Sequence, residues 1–158
     1  MSRSGRDLAL LLLGGFRALV DALVVELDRR GYTDIRSVHA FAMRAIIAGA
    51  DSASELGRRL SISKQAAAKT IAILQKRGYV ERGADPGDAR RKRLRLTKRG
   101  FAELREAEAI FDDLRRQWAR QIGSAELKTL EKHLSTLVGP SHVRLDDMPG
   151  WMSRGLGE

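Results

Sequence analysis

Two groups of residues carry the chemistry of this chain. Lys64, Gln65, Ala68 and Lys69 are spaced so that a helix would present them on one face. Arg90, Arg91, Lys92 and Arg93 form an unbroken cationic run. A Gln amide can donate and accept at once, which suits an adenine edge. A Lys ammonium can reach guanine or a phosphate. The run Ala66-Ala67-Ala68 keeps such a helix slim enough for its backbone to approach a groove closely. Arginines in a row suit phosphates or a narrow minor groove. Ser63 stands just before the first group, where its hydroxyl can cap the helix, and is counted with it as facing DNA. Asp88 is counted with the second group.

The overall charge agrees once it is localised. The 158 residues hold 29 Lys and Arg against 20 Asp and Glu, a net +9. Between Arg58 and Arg99, fourteen basic residues meet only Glu81, Asp85 and Asp88, so this segment carries +11 and the rest of the chain is slightly acidic. A nucleic-acid footprint concentrates charge in this way, whereas an adaptation of the whole surface spreads it. The chain has no Cys, which excludes disulfides, thiolate metal sites and thiol redox chemistry. His39, His133 and His142 lack ligand spacing, so neither a metal nor a cofactor is expected. No nucleophile–base pair, phosphate loop or dinucleotide fingerprint occurs, and no enzyme is expected. The apolar run Leu8–Phe16 is followed at once by Arg17 and Asp21, and no uninterrupted run approaches the ~20 residues of a membrane span. No membrane partner and a cytoplasmic location are expected.

The elements that must hold these groups follow from apolar periodicity. Leu8, Leu12, Phe16, Leu19, Leu23 and Leu27 line one face of a first helix, in which Gly14 and Gly15 would permit a close helix contact. A second helix is expected over Ile35–Ala48, capped by Thr33 or Asp34. Ser52 and Glu55 have capping-box spacing for a short helix, Ala53–Leu60. The turn Ser61-Ile62-Ser63 leads into a helix from Lys64 to about Arg77, buried through Ala67, Ile71 and Leu74. The period then falls to two in Tyr79–Arg82 and Arg93–Leu96. Asp85-Pro86-Gly87-Asp88 suits a type II turn. The basic run would thus sit in a long loop at the tip of a β-hairpin. Thr97 can cap a long helix to Ile122, with Leu104, Ala107, Phe111, Leu114, Trp118 and Ile122 inward. Ser124 can cap a last helix, with Leu127, Leu130, Leu134 and Leu137 on one face. Gly139-Pro140 ends it, and the tail 141–158 has no period and no assignable role. The fold class is mainly α with a small β-hairpin wing.

Short helix, three-residue turn, second helix and basic hairpin together form a winged helix-turn-helix. From Ser54 to Gly100 the sequence resembles the MarR family of bacterial transcriptional regulators. The likeness rests on Arg77-Gly78-Tyr79-Val80-Glu81-Arg82 at the strand entry and on Asp88, Arg90, Lys92, Leu94, Leu96 and Thr97 along the wing. It departs in Lys69, where many members carry Arg, and in its denser run of basic residues. The resemblance implies a DNA-binding unit over 33–97 and a helical dimerisation region over 1–32 and 98–140. It implies a homodimer on double-stranded DNA, with Arg90 at the wing tip in the minor groove and Asp88 orienting it or a neighbouring base by a salt bridge. Leu8, Leu12, Leu19, Phe111, Trp118, Leu127, Leu130 and Leu134 are expected at the dimer interface. The resemblance also implies a small aromatic or phenolic effector held between the two regions, for which Phe16, Arg17, His39, Met43 and Trp118 are the candidates.

Overall fold

A computed structural model describes residues 4–139; the side chain of Arg91 lies outside the described set. Six helices and one hairpin follow in the order α1 (Gly5–Arg29), α2 (Ser37–Ile47), α3 (Ala53–Leu60), α4 (Lys64–Lys76), β1 (Val80–Asp85), β2 (Asp88–Leu96), α5 (Lys98–Ile122) and α6 (Ser124–Val138). The expectations for Pro140 and for the tail 141–158 fall outside the described residues.

Local chemistry sets most of the boundaries. Ser4 and Asp7 exchange side-chain-to-backbone hydrogen bonds and start α1. Ser52 accepts the Glu55 N–H at 3.2 Å, Ser63 the Ala66 N–H at 3.1 Å and Thr97 the Gly100 N–H at 3.2 Å. Each hydroxyl satisfies a backbone donor that a helix N-terminus leaves open.

Three caps differ from expectation. Neither Thr33 nor Asp34 caps α2. The helix begins two residues later than expected, and His39 Nδ1 accepts the Arg36 N–H at 3.0 Å. The Glu55 carboxylate does not return to Ser52; it takes Arg58 and Arg59 instead, which hold its pKa down at about 2. Gly123, not Ser124, is the cap residue of α6, and no side chain bonds there.

One core joins all these elements except α6. Leu23 and Leu27 of α1 meet Phe41, Ala42, Met43, Ala45 and Ile46 of α2, Leu56 and Leu60 of α3, and Ala67, Ile71 and Leu74 of α4. Val80, Leu94 and Leu96 from the base of the hairpin and Leu104, Ala107 and Ile110 from α5 complete it. The core therefore crosses both boundaries drawn at 32 and 98. Ion pairs also link the helices: Arg30 with Glu106 at 2.7 Å, Arg44 with Glu108 at 2.8 Å and Arg115 with Glu131 at 2.6 Å. Exposed pairs of this kind contribute little to stability, so apolar burial holds the fold.

The outer helices are less covered than their periodicity implies. Of the expected inner face of α6 only Leu127 is buried, while Leu137 is 81% exposed. Phe111 and Ile122 of α5 are exposed as well, and Ile110 and Glu103 are the buried residues there instead. Leu8, Leu10, Leu11 and Leu12 of α1 all lie open. Gly15 approaches Trp118, where an added Cβ would sit 3.5 Å from the ring, whereas Gly14 faces open space. Among the described residues α1 is long and apolar enough, by length and composition, to cross a membrane. Arg17 and Asp21 do interrupt the apolar run, but they do not remove its apolar excess.

Candidate nucleic-acid interface

The turn between α3 and α4 sets the angle of the presenting helix. Ser61 takes a left-handed conformation, φ 53°, and the Ile62 N–H bonds to the Gly57 carbonyl at 3.0 Å. A Cβ at Gly57 would lie 2.9 Å from the Ile62 carbonyl oxygen, so only glycine permits this approach. α4 then buries Ala67, Thr70, Ile71 and Leu74, and Lys64, Gln65, Ala68 and Lys69 all stand exposed opposite them. Ser63 is exposed too, with its Oγ engaged in the cap.

The hairpin differs from its expected shape. The strands extend to Asp85 and Asp88, leaving only Pro86-Gly87 as the loop. The run Arg90–Arg93 therefore lies within β2, not in a long loop at the tip. Gly87 is outside the left-handed region, so the turn is not type II. Asp85 Oδ1 closes it by accepting the Gly87 N–H at 2.8 Å. Register slips beside it: Ala84 pairs with Lys92 but Asp85 with Asp88, leaving Ala89, Arg90 and Arg91 without counterparts. This bulge pushes the backbone of Arg90 outward from the ladder. Asp88 Oδ1 holds the Arg90 backbone N–H at 2.9 Å, where a salt bridge to its guanidinium was expected.

The members of the basic run have different surroundings. Arg90 and Lys92 are exposed. Arg93 Nε lies 2.6 Å from Asp85 Oδ2 and 3.7 Å from Asp51 Oδ2, so its charge is already engaged. Further along, Arg95 pairs with Glu81 at 2.8 Å.

A cluster beneath the hairpin escaped the reading of the sequence. The buried Tyr79 hydroxyl donates to Asp34 Oδ1 at 2.8 Å, and burial pushes its pKa up. Arg99 donates to the Tyr79 oxygen at 3.1 Å and lies 4.6 Å from the centre of its ring. Arg77 donates to the Asp34 carbonyl. Together these bonds tie the α1–α2 loop to the entry of the hairpin and to the start of α5. The only signal in the sequence was the turn-like Thr33-Asp34, which gave no hint of partners 43 to 45 residues away.

The five effector candidates have different surroundings. Met43 is wholly buried in the core and Arg17 is exposed. Phe16 packs against the edge of the core and Trp118 against Gly15. His39 is buried, with Nδ1 spent on the helix cap; burial and the nearby Arg77 and Arg36 charges lower its pKa to about 4. A groove of about 490 Å³ does lie between α1 and α5, lined by residues such as Val25, Arg29, Leu114 and Arg120, none of them among the five. Among the described residues no three His, Cys, Asp or Glu converge as a metal site.

A helix-turn-helix whose second helix shows its polar face to solvent, with a two-stranded basic wing behind it, defines a winged-helix protein. Residues 30–91 match the sequence model of the MarR family. Solved structures agree in fold. The wild-type apo form of MarR from E. coli is 23% identical, with a TM-score of 0.65 over 88% of this chain and 99% of its own. A mutant of MepR from S. aureus bound to an oligodeoxyribonucleotide is 16% identical, with a TM-score of 0.60 over 82% and 94%. CouR from Rhodococcus jostii RHA1, bound to p-coumaroyl-CoA, is 19% identical, with a TM-score of 0.60 over 89% and 98%.

Proposed function

We propose that this chain is a sequence-specific double-stranded DNA-binding transcriptional regulator, acting as a repressor and as a homodimer on a pseudo-palindromic operator. The observation that carries the proposal is the exposed face of α4, with Lys64, Gln65, Ala68 and Lys69 free of the core, beside a basic hairpin. In this reading α4 enters the major groove, and Gln65 and the two lysines meet base edges and phosphates. The bulge at Arg90 carries its guanidinium toward the adjacent minor groove, with Lys92 on the flanking backbone. The dimer region is 1–32 with 98–140, and the DNA-binding unit is 33–97. The open leucines of α1 and α6 then meet a second copy rather than lipid. The two recognition helices would be held at a spacing that matches two half-sites.

Release by a small aromatic or phenolic ligand belongs to the same proposal. It is supported by the family likeness and by a neighbour that holds p-coumaroyl-CoA. A screen of aromatic acids for loss of duplex binding tests it.

Affinity selection from random DNA duplexes tests the main reading. A palindromic consensus is expected. Enrichment without a consensus would mean a non-specific binder, and no retention would mean a protein-interaction module. Arg90→Ala should weaken binding to the selected duplex and lower the salt slope by about one unit for each phosphate it no longer neutralises. Gln65→Ala should relax preference at one symmetric base position. An unchanged slope and an unchanged site preference would remove both assignments.

A further inference from the structure

We propose that Arg93 is a positioning residue, tying the distal wing to the α2–α3 loop through Asp85 and Asp51 instead of gripping DNA. The inference rests on the DNA-facing reading of the wing and deepens it.

The hairpin needs such a tie. Two strands alone are marginal in water. The apolar side chains that bury this hairpin, Val80, Leu94 and Leu96, all lie at its base. Beyond them the strands run out to Pro86-Gly87, and the register breaks between Ala84 and Asp85. Apolar packing therefore does not fix the angle of the outer half against the helices.

Arg93 sits where that packing stops, opposite Gly83. Its Nε lies 2.6 Å from Asp85 Oδ2, and the other oxygen of the same carboxylate receives the Gly87 N–H at 2.8 Å. The Asp85 side chain is only 9% exposed, so its charge is largely withdrawn from water. The same Nε lies 3.7 Å from Asp51 Oδ2, on the residue just before the Ser52 cap of α3. The turn, the second strand and the loop leading into the helix-turn-helix thus meet at one guanidinium. With its Nε turned to these two carboxylates, the guanidinium of Arg93 is directed inward along the wing rather than out toward a phosphate. Without it, the Asp85 carboxylate would lose its cation beside the surface proposed to face DNA.

The two roles predict opposite signs for one substitution. If Arg93 grips phosphate, Asp51→Asn releases it and removes a negative charge, so binding should tighten. If Arg93 positions the wing, Asp51→Asn loosens the hairpin and binding should weaken. The test combines two measurements on the full chain. The first is amide hydrogen exchange in the absence of DNA. Arg93→Ala and Asp51→Asn should each speed exchange at the Gly87 and Arg90 amides about tenfold and leave α4 unchanged, and Arg93→Lys should restore part of the protection. The second is binding to a fluorescent mixed-sequence duplex of about 30 base pairs across a salt series. Asp51→Asn should weaken it severalfold at an unchanged salt slope, and its effect should largely disappear in the Arg93→Ala background. Unchanged exchange in both variants, or tighter binding by Asp51→Asn, overturns the proposal. If the wild-type chain binds no duplex, the DNA reading fails, and the exchange measurement alone decides whether Arg93 holds the wing.

Discussion

Glu103 holds a carboxyl in the core with no hydrogen-bond partner on either oxygen. Burial raises its pKa to about 7, against a slight lowering by Arg44. The folded protein thus keeps this proton across a range in which the unfolded chain, near 4.5, has released it. The native state binds more protons between those values, so stability falls as pH rises from about 4.5 to 7 and stays reduced above. The loss is on the order of 3 kcal/mol. Glu103→Gln should flatten this branch, as read by urea midpoints at pH 5 and pH 8. A wild type equally stable at both would count against it. His39 works in the opposite direction. Its folded pKa of about 4 lies below the ordinary 6.5, so protonating the unfolded chain costs stability as pH falls through that window. His39→Asn, which keeps an acceptor for the Arg36 N–H, should lessen that acid loss in the same titration.

At the scale of elements, the helix-turn-helix depends on one close approach and one cap. Gly57→Ala forces a Cβ to within 2.9 Å of the Ile62 carbonyl, so the turn must open. Overpacking of this kind costs about 1–3 kcal/mol. Ser63→Ala removes the acceptor for the Ala66 N–H and should cost about 1 kcal/mol. Thermal unfolding followed by circular dichroism checks both. Gly57→Ala should also weaken duplex binding beyond its stability cost, because it re-aims α4, and a purely thermal effect would contradict that. The hairpin is legible only in part from sequence. Alternation marks its apolar base, but the outer strand is nearly all cationic and has no pattern to distinguish strand from loop. Its pairing is supplied by the backbone ladder and by Asp85, which no side-chain period reports.

For the whole molecule, the uncovered leucines are the main energetic fact. Leu8, Leu10, Leu11 and Leu12 at one end of the chain, and Leu130 and Leu137 near the other, present apolar surface that one copy does not bury. Clustered large apolar side chains left open in this way mark a site of association. Light scattering at micromolar concentration should therefore give twice the 17.5 kDa chain mass, and Leu12→Glu with Leu130→Glu should give the single mass. A wild-type monomer would sink the dimer proposal. The charge asymmetry belongs to this scale too. With the +11 confined to Arg58–Arg99, duplex affinity should fall steeply with salt.

Local rules alone determined the order of the helices, the caps at Ser52, Ser63 and Thr97, and the exposed face of α4, because hydrogen bonding within a turn and burial at helical period act between near neighbours. They also located the charge. Tertiary structure decided how each charge is used. Arg93 meets Asp51 across 42 residues and Arg99 meets Tyr79 across 20, and no spacing rule connects such pairs. It also decided that Met43 and His39 are buried, since a residue on a helix reads alike whether it faces a pocket or a neighbouring helix. Which apolar stripe is covered within one copy depends on the packing of the other elements, and that is why α2 is buried while the ends of α1 and α6 stay open.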